Sequence, residues 1–390
     1  MLNPGLQASL FRLPVRPIIV ETTGADFNRI TSELRSSGLE LRNATESLSM
    51  ASFLAASPRR ILEINDIPGV RAVHADSEKS ILITETFTSL IWPTSESRRL
   101  MGAEEAVQQG VTGEAVRVGI VDTGADPNHP QLRGIQWDSA LNAPREPGID
   151  AGPTQSGHGS HVASTVGGTL QLTPTQVFVE GVSRARMNSV QALGRIIGTG
   201  FSSEVVNAIS LAFDRGARII NMSLGSDECQ GGCDICPECR AVKQFTARGV
   251  IFVIAAGNSG PGVNTINCPG CVPEAITVGA VDRNSNTAEF SSRGGSRFSA
   301  KPDVVAPGVD IFSGTGRGSQ VDLSDAQAGF GFAAISGTSM ATPHVAGLLA
   351  LLRQRDPELT AESFRQVMRT SGLPFNTSWG YGVPNWSMFV

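Results

Sequence analysis

The chain has 390 residues, 31 Lys and Arg against 36 Asp and Glu, a formal charge of -5 and 40% hydrophobic residues. Such a length buries a large core and exceeds the usual single-domain size, which points to two domains. The acidic balance and the lack of a long basic run exclude nucleic acid, whose phosphates need clustered Lys and Arg, and no apolar run approaches the roughly 20 residues of a membrane-spanning helix.

Residues 1–17 hold two arginines but neither a continuous apolar core nor a small-residue cleavage site, so they do not read as a signal peptide. Pro17 to Glu21 then reads as a strand, Asp26 to Ser36 carries helical spacing, and Leu39 to Arg42 alternates as a strand does. Leu48 to Ala56 is a further strand. Ser57 before Pro58 opens a helix that runs to Ile64, and Val70 to Ala75 follows Gly69 as the last strand. The order β-α-β-β-α-β is a split βαβ plait, a small α+β unit. After Thr84 to Trp92, Pro93 to Arg99 reads as a polar linker. The domains are therefore expected at 1–92 and 93–390.

Through the second domain strand-like runs, such as Ile219 to Leu224 and Ala275 to Ala280, alternate with helical stretches such as Glu204 to Phe213. That alternation predicts an α/β fold, a mainly parallel sheet with helices on both faces. The strand Arg117 to Val121 ends in Asp122 and a glycine turn. His158 stands between Gly157 and Gly159 at the start of an apolar helix, where small neighbours leave its ring accessible. Asn258 follows the apolar strand Val250 to Ile254, in the run Ala255-Ala256-Gly257-Asn258-Ser259-Gly260. Ser339, in Gly337-Thr338-Ser339-Met340-Ala341-Thr342-Pro343-His344, lies at a helix N-terminus, where N–H groups and the helix dipole favour negative charge on a bound carbonyl oxygen. A serine hydroxyl needs a base and the base needs an orienting group. His158 and Asp122 are the candidates, and acyl transfer is the chemistry. His74, His129, His161 and His344 read as packed or solvated.

These four runs, in the order Asp, His, Asn, Ser, resemble the subtilisin-like serine proteases over about residues 100 to 390. The resemblance implies a triad of Asp122, His158 and Ser339, with the Asn258 amide and the Ser339 N–H forming the oxyanion hole. It implies an endopeptidase that acts on proteins or peptides through an acyl-enzyme and needs no cofactor for its chemistry. Ser223-Leu224-Gly225 and Ala255-Ala256-Gly257 would line the primary pocket. Gly198-Thr199-Gly200 would lie along the substrate backbone, where glycines let a peptide strand pair closely. The plait resembles the family's inhibitory propeptide, an intramolecular inhibitor whose tail, here Thr84 to Trp92, fills the cleft, with self-processing expected between about Thr84 and Arg99. The resemblance also implies export. Structural calcium is possible, but His129-Pro130-Gln131-Leu132 carries a neutral amide where the common calcium site has an aspartate. The alternative from another class is a catalytically silent binding protein on the same fold.

The departure from that family is a cysteine set, Cys229, Cys233, Cys236 and Cys239, then Cys268 and Cys271. Cys236 and Cys239 with Cys268 and Cys271 have the spacing of a four-thiolate zinc site. Six is also the even number that three disulfides require, as export would favour. Either chemistry would brace the pocket walls.

Overall fold

The computed structural model describes residues 15–83, 91–141, 148–152, 155–194, 198–227, 233, 236–324, 331–371 and 374–390. The N-terminal unit contains β1 (Arg16–Thr22), α1 (Phe27–Ser36), β2 (Glu40–Thr45), β3 (Met50–Ala56), α2 (Pro58–Asn65) and β4 (Val70–Ala75). Its antiparallel sheet has the order β2-β3-β1-β4. Ser57 caps α2 by accepting from the Arg60 N–H at 3.3 Å, with Pro58 at the first helical position. The strand expected from Leu48 starts at Met50, because Glu46–Leu48 forms a 3₁₀ turn that ends in left-handed Ser49.

Alternation along β1 gives the sheet two working faces. Ile18 and Val20 pack with Phe53, Ile61, Ile64 and Phe27 in the unit's own core. Ile19 points the other way and joins Met50 and Leu48 in a core shared with the next domain.

The chain continues through β5 (Glu78–Ile81), β6 (Trp92–Pro93), α3 (Thr94–Ser97), α4 (Ala103–Gln108), β7 (Arg117–Asp122), β8 (Gln136–Ser139), α5 (His158–Gly167), β9 (Gln171–Leu172) and β10 (Phe178–Val179). There follow β11 (Arg186–Gln191), β12 (Thr199–Phe201), α6 (Ser202–Asp214), β13 (Ile219–Met222), β14 (Leu224–Gly225), α7 (Pro237–Thr246) and β15 (Ile251–Ala255). The last elements are β16 (Ile276–Val281), β17 (Val304–Pro307), β18 (Ile311–Gly314), α8 (Gln320–Ser324), β19 (Phe332–Ile335), α9 (Thr338–Arg355) and α10 (Ala361–Thr370).

Seven of these strands form a parallel sheet of order β17-β16-β15-β13-β7-β11-β8. Its central strands are buried throughout, as parallel strands covered on both faces must be. Ile219, Ile251 and Val253 pack with Val162 of α5 and Val345 of α9, whereas Ile220, Phe252 and Ile254 pack with Val206 of α6 and Val242 of α7. The α/β reading with helices on both faces is thus the observed architecture. Among the described residues no helix is long and apolar enough to cross a membrane.

The stretch read as a polar linker is packed structure. Trp92 pairs with Ile311 and lies in the main core. Thr94, Ser97 and Arg98 are buried; the Ser97 hydroxyl bonds His344 Nε2 at 2.7 Å and Arg98 pairs with Glu180. Polarity here reflects internal partners rather than exposure.

The N-terminal sheet docks its second face on α6 and α7. Asp76 accepts from the N–H and hydroxyl of Ser203 at 2.9 and 2.7 Å, so a carboxylate from one domain caps a helix of the other. Burial pushes its pKa up to about 6, opposed by the Ser203 bonds and Arg42. Arg240 of α7 reaches Glu21 of β1 at 2.6 Å.

Candidate active site

β7 and α5 bring the first pair together. Asp122 Oδ1 is 2.6 Å from His158 Nδ1 and accepts the Thr123 N–H at 2.8 Å, and both side chains are fully buried. The Thr123 hydroxyl accepts from the Gly159 N–H at 2.8 Å, which fixes the first turn of α5 under the carboxylate. Gly157 precedes that turn at φ 87°, the left-handed region, and a Cβ there would lie 2.0 Å from Ser319 Oγ. His158 Nε2, the nitrogen that a base would use, is buried without a hydrogen-bond partner among the described residues.

Ser339 is the second residue of α9. Its hydroxyl donates to the Ser223 carbonyl at 2.8 Å, and the Ser223 hydroxyl donates to the Ser339 carbonyl at 2.8 Å. The second bond follows from the sequence: Pro343 has no N–H to offer the carbonyl four residues earlier, and Ser223 supplies the missing donor. Asn258 accepts with Oδ1 from the Thr338 N–H at 3.0 Å and the Thr338 hydroxyl at 2.9 Å. That orientation leaves its Nδ2 buried and unpartnered among the described residues.

The cleft in front of these groups holds a segment of the chain itself. β5 runs antiparallel between β12 and β14, with Lys79 opposite Gly200, Ser80 opposite Thr199 and Gly225, and Ile81 opposite Leu224. Ile81 N–H donates to Gly198 O at 3.0 Å. A Cβ on Gly225 would lie 3.3 Å from Leu82 Cδ1, and one on Gly337 would lie 2.3 Å from Leu82 O and 3.2 Å from Asn258 Nδ2. Gly198, Gly200, Leu224 and Gly225 therefore flank residues 79–82, and Ser223 holds Ser339. Ala256 and Gly257 lie in the loop that leads from β15 to Asn258. The cleft segment is 78–83, upstream of the tail expected at Thr84 to Trp92; residues 84–90 lie outside the described residues, and Trp92 belongs to β6.

The other four histidines are committed elsewhere. His161 donates Nε2 to the carbonyls of Ile311 and Ala333 at 3.0 and 3.1 Å, and burial holds its pKa down to about 3. Burial also lowers His344 and His129 to about 4. His74 is paired with Glu21 at 3.2 Å.

One residue of the site gave no signal in the sequence. Asp150 accepts from the N–H groups of Gly157 and Ser160 at 2.8 and 3.1 Å, capping the helix that begins with His158. Burial, and then the nearby Asp122 charge, push its pKa up to about 7.

Gln131, at the position where the resemblance places the common calcium ligand, is hydrogen-bonded through both ends of its amide. Its Nε2 donates to Thr169 O at 3.2 Å and Val179 O at 3.3 Å, while Oε1 accepts from the Gly314 N–H at 3.0 Å. An N–H₂ group aimed at two carbonyls does not fit a cation there. Cys271 is disulfide-bonded to Cys233, and the sulfur atoms of Cys233, Cys239 and Cys271 lie within 4.8 Å of one another. Cys236, Cys239 and Cys268 keep their ligand atoms within 4.8 Å of one another. Cys229 lies outside the described residues.

Residues 113–382 match the subtilase family. The chain is 32% identical over 369 residues to an alkaline protease of Alkalihalobacillus alcalophilus, covering 94% of this chain and 86% of that one. This chain belongs to the subtilase family, the subtilisin-like serine endopeptidases. Subtilisin Savinase of Lederbergia lenta is 35% identical to this subtilase over 281 residues, 72% of this chain and 91% of its own. The crystal structure of fervidolysin from Fervidobacterium pennivorans, described as a keratinolytic enzyme related to subtilisin, superposes with a TM-score of 0.73 at 21% identity. That match covers 96% of this subtilase and 60% of fervidolysin, and it bears on the fold alone.

Proposed function

We propose that this subtilase cleaves peptide bonds with Ser339 as nucleophile, His158 as base and acid, Asp122 as the group that orients His158, and Asn258 with the Ser339 N–H as oxyanion donors. The Ser339 proton passes to His158 Nε2 as Oγ bonds the substrate carbonyl carbon, and the resulting oxyanion meets Asn258 Nδ2. Collapse breaks the C–N bond, and His158 gives the proton to the departing amine. Water then attacks the acyl-enzyme by the same route and frees Ser339. Before the first step the Ser339 hydroxyl must turn from Ser223 O towards His158.

The N-terminal unit acts, in this reading, as a propeptide that is both inhibitor and first substrate. The observation that carries it is β5 in the cleft, with the Leu82 carbonyl beside Gly337 and the unpartnered Asn258 amide nitrogen. The processing bond is then Leu82–Ile83. A fluorophosphonate probe with intact mass and N-terminal sequencing tests both points: the expected outcome is label on Ser339 and a mature chain beginning at Ile83. A processed chain that takes no label would favour the catalytically silent reading.

The cysteines brace the pocket in this reading. The Cys233–Cys271 bridge ties the loop after Gly225 to the opposite wall and fits an exported protein. Cys236, Cys239 and Cys268 form a second possible ligand set, for zinc with one further ligand. Metal analysis of the purified enzyme, with about one zinc per chain expected for such a site, tests that version.

A further inference from the structure

The strand in the cleft carries a charge into it. Lys79 lies three residues before Leu82, opposite Gly200. Its side chain is fully buried, with Nζ 3.3 Å from Glu238 Oε1 and donating to Ser226 Oγ at 2.7 Å. The Glu238 side chain is likewise fully buried, and neither of its carboxylate oxygens has a hydrogen-bond partner among the described residues. Lys79 is the cation seated against it.

The two sides of this contact belong to different parts of the molecule. Glu238 is the second residue of α7, whose N-terminus is capped by Cys236, and negative charge is favoured in a first helical turn. Ser226 follows β14 and pairs through its backbone with Cys268, at 3.0 and 2.9 Å. Both therefore stay with the mature enzyme. Lys79 lies on the side of Leu82–Ile83 that leaves. Once it has gone, the Glu238 carboxylate faces the vacated pocket without the cation seated against it here, and among the described residues no hydrogen-bond donor replaces it, an arrangement that a substrate can worsen or relieve. An apolar side chain would seal the carboxylate away from water, and an acidic one would add a like charge. A lysine restores the contact that the structure displays.

We infer that Glu238 and Ser226 form a subsite that selects a lysine three residues ahead of the residue whose carbonyl is attacked, so that preferred substrates read Lys-x-x-Leu. The inference rests on the proteolytic reading above. It adds a substrate class: peptides with a basic residue at a fixed distance from an apolar one.

The mature enzyme is assayed with succinyl-Lys-Ser-Ile-Leu-p-nitroanilide and with the same peptide carrying norleucine or glutamate in place of lysine. Norleucine keeps the aliphatic stem and removes the charge. The lysine peptide is expected to exceed the norleucine peptide in kcat/KM by about 30-fold or more, the effect of deleting one partner of a buried charge pair, with the glutamate peptide slowest. Glu238→Gln should bring the lysine-to-norleucine ratio to within about threefold, close to the small worth of an uncharged hydrogen bond. Each ratio is taken on one preparation, so the fraction of folded enzyme cancels, and the wild-type ratio decides alone if the variant does not fold. Equal rates with lysine and norleucine would overturn the subsite while leaving the protease intact, and the ion pair would then serve only to seat the N-terminal unit. A lysine preference that survives in Glu238→Gln would overturn the role of Glu238. Cleavage of none of the peptides would overturn the proteolytic reading and this inference with it.

Discussion

Asp150 at α5 and Asp76 at α6 are both buried carboxylates that cap helices, and burial raises the pKa of both. Asp150 lies in the subtilase-matching region and caps the helix that starts at His158, and nothing in the proposed reaction requires it to move. Asp76 reaches across from the N-terminal unit and, if that unit is the propeptide proposed above, has to leave α6 on processing. On that proposal the same local chemistry serves a permanent arrangement in one region and a separable one in the other. What differs is the surroundings: α5 packs into the main apolar core through Val162, Ala163 and Val166, whereas the docked face of the N-terminal unit mixes Ile19 and Met50 with Glu21, Ser47 and Asp76. Interfaces that must separate are commonly more polar than cores in this way.

The comparison breaks most completely in Ser339→Ala, which should keep both regions in one chain. Intact mass should show the full-length protein, and turnover of added peptide should fall by about 10⁶-fold, the loss reported for the nucleophile of another family member. Asn258→Ala should spare processing in part but lower kcat by about 10²–10³-fold at similar KM, a magnitude also taken from a relative. Steady-state kinetics of the processed variant would contradict the oxyanion role if kcat stayed within a few-fold of wild type.

The permanent region can be loosened without touching the chemistry. Cys271→Ser should lower unfolding stability by about 2–4 kcal/mol, read from denaturant midpoints with and without reductant. An unchanged midpoint would mean that the Cys233–Cys271 bridge does not brace the wall.

The separable region should respond to pH. Asp76 is raised to about 6 when docked and should return towards an ordinary carboxylate when exposed, so docking takes up a proton between pH 4 and 6. This contribution is fully present below about pH 4 and is lost as pH rises through about 6, weakening the contact by up to about 100-fold. Release of the cleaved N-terminal unit should therefore quicken over that range and level off above it. Arg42 and Glu204 face the same carboxylate, so the diagnostic is Asp76→Asn, which should flatten the profile.

The parts of this structure that could be read in the sequence are those coded by neighbouring residues. The plait was visible because each strand and helix carries its own periodicity, and Ser57-Pro58 marks a helix start without any tertiary help. Asp122, His158, Asn258 and Ser339 were visible because each stands in a distinctive run. β5 was not: Glu78-Lys79-Ser80-Ile81 has no alternating apolar pattern, and its partners lie more than a hundred residues away at Gly200 and Leu224. Asp150 was hidden for the same reason, since its role appears only where Gly157 and Ser160 fold back on it. The packed stretch after Trp92 reads as a linker in the sequence because its polar side chains find their partners in distant elements.

Gln131 has a consequence for the conditions in which the fold survives. Its amide joins the carbonyls of Thr169 and Val179 to the Gly314 N–H through a side chain that is part of the polymer. A clamp of this kind has no dissociation constant, so no chelator can strip it and no dilution can empty it. At this corner the link between the three segments is made by the chain itself.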